Sequence, residues 1–257
     1  MNTISVSEKN NVLEVRLNKP QIRNAFSPEM IRELTQVFST VKESIRLVTL
    51  SGEGSSFCAG ADLNWMKSMV GFSLQENEKD SLELHDLFAS IRQCPAPVLG
   101  IVQGAAFGGG VGLVAACDFV VCTEKTQFCF SEVKLGIVPA VISRFVLEKS
   151  SPGLVGPWMI SGRVFKAAQA LNMGLVHEVV EDEELTERAQ EIARGFLQAG
   201  GEATRATKKL VVDIGVWAPA EARVETARLI ANRRASKEGQ EGIKAFLEKR
   251  NPSWRPE

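Results

Sequence analysis

Residues 98–122 read VLGIVQGAAFGGGVGLVAACDFVVC, and this stretch decides the fold class. Six glycines, Gln103 and Asp118 interrupt the apolar run, so it predicts buried strands and a helix, not a membrane span. We predict strands at Val98–Val102 and at 119–122, a tight turn at the glycines 108–110, and a short apolar helix at 111–117. A strand, turn, helix and strand in close succession indicate an α/β protein.

The same alternation extends outward from this stretch. Val12–Leu17 alternates polar and apolar residues, which is typical of a strand, and a further strand is predicted at 47–50. Ser27 as N-cap and Pro28 at the first helical position predict a helix to about residue 42. Further helices are predicted from about residue 62 and over 74–92, and the pattern is helical only from about residue 183.

Composition and charge exclude several function classes. The 257 residues carry a formal net charge of -1, whereas a nucleic-acid surface needs a strong basic excess. The N-terminus lacks a basic region followed by an apolar run, so we expect no signal peptide, a cytoplasmic protein and reduced core thiols for the five cysteines. No metal is implied, because His85 and His177 are isolated from other residues with ligand spacing.

Two segments of small residues each precede a predicted helix. They are SFCAGADL at 56–63 and QGAAFGGG at 103–110. Small residues let a ligand approach the backbone, and a helix N-terminus presents unpaired N–H groups. Two such turns that face each other would form an oxyanion hole for an enolate-like oxygen. From the glycines alone, tight packing is the favoured interpretation, while the phosphate-loop patterns GxGxxG and Gly-Lys-Ser/Thr are absent.

These two segments, together with QFCFSEVKLGIVP at 127–139, resemble the enoyl-CoA hydratase/isomerase (crotonase) superfamily. The resemblance runs from NKP at 18–20 and RNA at 23–25 to EGIKAFLEKR at 241–250. It implies a crotonase-type spiral of ββα units over residues 1–195, and a C-terminal helical trimerisation region over 196–257 that contacts a neighbouring subunit. It also implies an acyl-CoA substrate, no separate cofactor, no nucleic acid or membrane partner, and a homotrimer or dimer of trimers.

The resemblance also assigns individual residues. The backbone N–H groups of Ala61 and Gly109 match the oxyanion-hole donors. The segment from Ala59 through Asp62 to Leu63 matches the stretch that wraps the coenzyme A arm. Phe246 and Lys249 match tail positions that reach coenzyme A, although a core aromatic and a solvated lysine are the alternative interpretations.

The acid/base positions depart from the hydratase pattern. Glu132 matches one of two catalytic glutamates, but Gly112 stands where the other is expected. Three explanations remain open: an isomerase that needs one base, a hydratase whose single glutamate both activates water and moves the proton, or a substrate that supplies the missing group. The last explanation treats Gly112 as free space that could admit a substrate carboxylate without charge repulsion.

Finer similarity favours hydration. The residues AGADLNWM at 59–66, FSEV at 130–133 and PAVIS at 139–143 are similar to bacterial hydratases of 3-methylglutaconyl-CoA, in leucine breakdown, or of isohexenylglutaconyl-CoA. Arg144 is then the first candidate to bind a distal carboxylate, ahead of Lys67 and Lys134. The alternatives are a Δ3-Δ2 enoyl-CoA isomerase and a non-catalytic acyl-CoA- or RNA-binding relative, and the retained Glu132 argues against the second.

Overall fold

The computed structural model describes residues 1–255, which form two β-sheets surrounded by helices. The strands are β1 (Ile4–Lys9), β2 (Val12–Leu17), β3 (Leu47–Gly52), β4 (Val98–Val102), β5 (Ala105–Phe107), β6 (Phe119–Thr123), β7 (Gln127–Cys129), β8 (Phe165–Lys166) and β9 (Glu178–Val180). The helices are α1 (Pro28–Ser39), α2 (Leu63–Met69), α3 (Leu74–Gln93), α4 (Gly109–Ala116), α5 (Ala140–Lys149), α6 (Pro152–Ser161), α7 (Ala167–Asn172), α8 (Leu185–Gln198), α9 (Gly201–Asp213), α10 (Pro219–Ala235) and α11 (Lys237–Leu247).

Strands that follow one another in the chain are divided between the two sheets. The larger sheet has the order β1-β2-β3-β4-β6-β9, and the smaller has the order β5-β7-β8. β4 and β6 pair in parallel in the larger sheet, while their successors β5 and β7 pair in parallel in the smaller one. Each ββα unit therefore places its first strand in the larger sheet and its second strand in the smaller sheet. A helix then leads the chain to the next unit. This is the predicted spiral of ββα units.

The main core lies between the larger sheet and the helices α1, α3, α4 and α5. Ser27 caps α1 as predicted, since its hydroxyl accepts the N–H of Met30, but α1 ends at Ser39, earlier than expected. α4 begins at Gly109, two residues before the predicted start, and its residues from Gly110 onward are all buried. A helix enclosed on all sides must contain only apolar and small residues, as this sequence does.

The C-terminal third is helical, as predicted. α8 packs on the outer face of the larger sheet through Leu185 and Ala189, so the expected boundary at residue 195 falls inside a helix of the core. α10 buries no residue, and α11 buries only Ala245. Within residues 1–255, no helix has the length and apolar character that crossing a bilayer requires.

Candidate active site

The two small-residue turns lie side by side because their backbones form a short parallel ladder. The N–H of Cys58 donates to the carbonyl of Ala105 at 2.9 Å, and the N–H of Phe107 donates to the carbonyl of Cys58 at 3.0 Å. Cys58 is thereby bridged to Ala106. Ala61 and Gly109 each follow their bridged residue by three positions, so the ladder brings the two predicted donors to matching places.

Glycine is required where the turns approach each other. Gly60 and Gly108, which directly precede the two donors, have φ values of +98° and +50°, a region that other residues rarely adopt. A Cβ at Gly110 would come within 2.4 Å of the Cys58 carbonyl oxygen. The glycines in these segments thus serve both the close packing and the orientation of the peptide groups.

Both donor groups are available to a ligand. Within residues 1–255, the N–H groups of Ala61 and Gly109 have no hydrogen-bond partner. Phe26 fixes their positions: its N–H donates to Gly60 and its carbonyl accepts from Asp62, and its ring lies where a Cβ of Gly109 would be, at 2.8 Å. Such fixed, unpaired donors can stabilise a developing oxyanion.

Glu132 lies against the second turn. It opens a 3-10 segment, Glu132–Leu135, shortly after β7, and the Gly108 N–H donates to the carbonyl of Cys129 at 2.8 Å. A Cβ at Gly108 would lie 3.4 Å from Oε1 of Glu132, so the carboxyl group is next to the turn that presents Gly109. Oε2 is buried and has no partner within the described residues. Burial raises the pKa of the Glu132 carboxyl above its ordinary value, and its own backbone N–H opposes this in part.

The space next to Gly112 is occupied, which corrects the expectation that this glycine opens room for the substrate. A Cβ at Gly112 would lie 2.6 Å from Cζ of Phe88 and 2.6 Å from Cγ2 of Ile142. Both side chains are buried. α3 and α5 therefore fill the position of the missing glutamate with an apolar wall.

The segment predicted to wrap coenzyme A has both structural and exposed members. The N–H of Ala59 donates to the Arg23 carbonyl, and the Asp62 carboxylate caps α2 by accepting the N–H groups of Asn64 and Trp65. Leu63 is 71% exposed. Asp62 thus stabilises the helix start, whereas Leu63 is free to contact a ligand.

The tail residues are exposed in this chain. Phe246, on the last turn of α11, is 83% exposed, and Lys249 follows the helix with a φ of +55°. An aromatic side chain that remains this exposed is not a core residue of its own chain, which removes the first alternative interpretation of Phe246.

The structure pairs Arg144 with a residue of its own helix. Arg144 is exposed on α5 and pairs with Glu148 at 3.2 Å. It follows Ile142, which packs on Gly112, by two residues, or about 200° around the helix. Lys67 is exposed on α2, and Lys134 shares the 3-10 segment of Glu132 and lies 4.0 Å from the Cys129 sulfur.

Four further residues that the sequence did not single out shape the site. Asn24 is fully buried, and its side chain donates to the carbonyls of Glu53 and Ser56, which fixes the loop before Cys58. Phe26, Phe88 and Ile142 shape the two turns and the wall. A signal for the last two existed: a glycine inside an apolar helix often marks a place where a neighbour approaches closely.

Two large cavities lie away from these residues. They have volumes of about 1000 and 830 Å³, and neither is lined by Ala61, Gly109 or Glu132. Within the described residues there is no group of three His, Cys, Asp or Glu side chains placed to hold a metal ion. The site is therefore defined by backbone donors and a carboxyl group.

The fold is that of a crotonase-type α/β enzyme. The family model described as "Enoyl-CoA hydratase/isomerase" matches residues 7–257. The "Putative enoyl-CoA hydratase" of Thermus thermophilus is 35% identical over 96% of this chain and 98% of its own. The "Mevalonyl-coenzyme A hydratase sidH" of Aspergillus fumigatus is 32% identical over 95% and 92%.

A solved structure has the same fold. The enoyl-CoA hydratase from Shewanella pealeana superimposes with a TM-score of 0.93 at 34% identity, covering 98% of this chain and 96% of the other. The chain belongs to the enoyl-CoA hydratase/isomerase family.

We predict that restoring a glutamate at position 112 fails unless the wall is opened. Gly112→Glu should lower the free energy of unfolding by about 3 kcal/mol, because it overpacks the core and buries a charge. Adding Phe88→Ala should be less destabilising than the sum of the two changes, with a coupling of about 1 kcal/mol or more in a denaturation double-mutant cycle. Gly153→Glu on α6, where no atom lies within 4 Å of the added Cβ, is the matched control. Equal stability of Gly112→Glu and Gly153→Glu would contradict the packing around Gly112.

We predict that Glu132→Gln loses activity and gains stability. Removing an acid/base group should lower kcat by about 10³-fold. Because the pKa of Glu132 is raised in the folded state, the folded protein keeps this proton to a higher pH than the unfolded chain does. The stability of the parent protein therefore falls as the pH rises above the ordinary pKa of glutamate. The variant should then be more stable than the parent at neutral pH, measured by denaturation across pH. The exposed Glu124→Gln is the control, and a variant less stable than the parent at neutral pH would contradict the assigned environment.

Proposed function

We propose that this chain is an enoyl-CoA hydratase in which Glu132 is the single acid/base group. The observation that carries the proposal is the position of the Glu132 carboxyl group beside Gly108, on the turn that presents the unpaired Gly109 N–H. The names of its relatives support hydration as the reaction class. An electrophile held by the donors would have the carboxyl group as its neighbour.

In the proposed reaction, the thioester oxygen of a 2-enoyl-CoA accepts hydrogen bonds from Ala61 and Gly109. Each donor contributes about 2.7–4 kcal/mol when negative charge moves onto that oxygen. Glu132 takes a proton from the attacking water as its oxygen bonds to Cβ, and the same carboxyl group then gives that proton to Cα. The raised pKa of Glu132 suits this exchange, since the group must both accept and release the proton.

A branched glutaconyl-CoA, such as 3-methylglutaconyl-CoA, is the proposed substrate class. This part rests on the resemblance of the segments 59–66, 130–133 and 139–143, because Arg144 pairs with Glu148 instead of facing Glu132. Lys134, on the segment that Glu132 opens, becomes the first basic candidate for a distal carboxylate. One relative is named for mevalonyl-CoA, so names alone do not fix the acyl group.

One observation favours a second candidate, a Δ3-Δ2 enoyl-CoA isomerase. The wall of Phe88 and Ile142 leaves no second carboxylate to orient a water molecule. An isomerase moves a proton between two carbons of the acyl chain, and one carboxyl group beside an apolar wall is sufficient for that task.

A panel of thioesters separates the two candidates. We expect 3-methylglutaconyl-CoA and simple 2-enoyl-CoA thioesters to lose the absorbance of the conjugated double bond as water adds, with the glutaconyl type giving the higher kcat/KM. The mass of the product, greater by one water, identifies hydration. Rearrangement of 3-enoyl-CoA without any hydration of 2-enoyl-CoA would establish the isomerase instead. Glu132→Gln serves as the control for Glu132-dependent turnover.

We also propose that the chain assembles as a trimer or a dimer of trimers through its C-terminal helices. α10 leaves Val224 and Ile230 about half exposed, and α11 leaves Ile243, Phe246 and Leu247 exposed. So many apolar side chains on helices that bury almost nothing of their own chain indicate a covered surface in the assembly. In such an assembly Phe246 and Lys249 would reach the coenzyme A of a neighbouring subunit.

Light scattering tests this assembly. The molar mass at micromolar concentration should be three or six times that of one chain, and Ile230→Asp should shift it towards smaller species by placing a charge in the contact. A monomeric parent protein would contradict the assembly without affecting the assignment of Glu132.

A further inference from the structure

α4 joins the proposed oxyanion donor to a charged cluster at its other end. Gly109 is its first residue and Ala116 its last, so the helix spans about 12 Å. All residues from Gly110 to Ala116 are buried, so the carbonyl groups of the last turn need hydrogen-bond partners in a largely enclosed environment. The protein supplies partners for two of those carbonyls.

Lys149 supplies one of these partners from a different helix. The carbonyl of Leu113 accepts the N–H of Cys117 at 3.3 Å, and the carbonyl of Val114 accepts from Nζ of Lys149 at 3.1 Å. Lys149 is the last residue of α5. Protein surrounds its ammonium group, and the side chain keeps some solvent contact through the cavity of about 830 Å³ that it helps to line.

The other charged groups around Lys149 are engaged with one another. Asp118 binds Lys208 of α9 at 2.7 Å and Arg92 of α3 at 3.5 Å, and Arg92 also binds Glu148 at 3.2 Å. This leaves the ammonium of Lys149 as the cation that contacts the end of α4.

Two further titratable groups lie near Lys149 but are neutral. Burial raises the pKa of the Cys117 thiol to about 12, and burial together with the Lys149 charge lowers the pKa of His177 to about 4. Neither group changes its charge in the neutral range.

We propose that Lys149 is a positioning residue for the oxyanion hole, which acts through α4 on the N–H of Gly109. The proposal rests on the proposed function of that site. A cation at a helix C-terminus interacts favourably with the helix dipole, whose positive end here faces the proposed oxyanion. The contact also anchors α4 to α5. Ile142 of α5 packs on Gly112 of α4.

The charge of Lys149 changes in an accessible pH range. Burial lowers the pKa of its ammonium to about 8, with Asp118 opposing and Arg92 supporting that shift. The contribution to the oxyanion hole should be complete below this pH and decline above it, because the neutral amine no longer complements the helix end.

The test compares Lys149→Met, Lys149→Arg and the exposed control Lys42→Met. At neutral pH, Lys149→Met should lower kcat about tenfold, equivalent to about 1.4 kcal/mol, with KM changed less than about twofold. In the parent enzyme kcat should fall as the pH rises through about 8. This decline should be absent from Lys149→Arg, whose guanidinium stays charged, and from Lys149→Met, which is low throughout.

A second readout does not require turnover. Acetoacetyl-CoA bound at the site should be partly enolate, observed by its ultraviolet absorbance, and the enolate-to-keto ratio should fall about tenfold in Lys149→Met. Failure of every enoyl-CoA to react would refute the proposed function, while this ratio would still test Lys149. A Lys149→Met variant with parental kcat and parental enolate ratio, or an alkaline decline that persists in Lys149→Arg, would overturn the role of Lys149.

Discussion

The short parallel ladder between Cys58 and residues 105–107 is the constraint on which the site depends. Its two backbone hydrogen bonds bring together turns that are almost fifty residues apart in the chain. Each turn then passes through a glycine with a positive φ and leaves the next N–H without an internal partner. Backbone groups fixed in this way need no reorganisation when charge develops on a ligand oxygen, which is what makes preorganised donors effective. The two ββα units supply the frame, because they place the first strands in one sheet and the second strands in the other.

The position of Glu132 in this frame lowers the free energy of unfolding. One carboxylate oxygen is buried beside the Gly108 turn without a partner in the described residues, which is an unfavourable environment for a charge. Buried polar groups are normally paired, so an unpaired one beside the Gly108 turn is the feature expected of a functional site. The surrounding fold tolerates this cost because a large apolar core, including the fully buried α4, holds the turns in place.

The sequence was sufficient for the class of fold and for the central residues, and the reasons are local. Glycine patterns, N-caps and apolar periodicity are written in neighbouring residues, so the strands β2, β3, β4 and β6, the helices α1 to α4 and the turns around Ala61 and Gly109 could be predicted. The strands β1 and β9 at the two edges of the larger sheet were not predicted. Contacts between side chains that are distant in the sequence could not be predicted. A glycine inside an apolar helix signals that some neighbour approaches closely at Gly112, but the sequence does not indicate that Phe88 and Ile142, from two other helices, are those neighbours. Likewise, the pairing of Arg144 with Glu148 depends on which face of α5 is buried, and a motif match alone does not determine that face.

The wall beside Gly112 also constrains how this lineage can change. A carboxylate at that position requires a new residue on α4 and smaller residues on both α3 and α5, and each single replacement leaves either an overfilled core or a void. Intermediate sequences along such a route would be less stable than either end point, so natural selection would remove most of them. With Phe88 and Ile142 in this space, a change to a two-carboxylate site would pass through less stable intermediates. Descendants of this chain are therefore expected to diversify their chemistry around one carboxyl group.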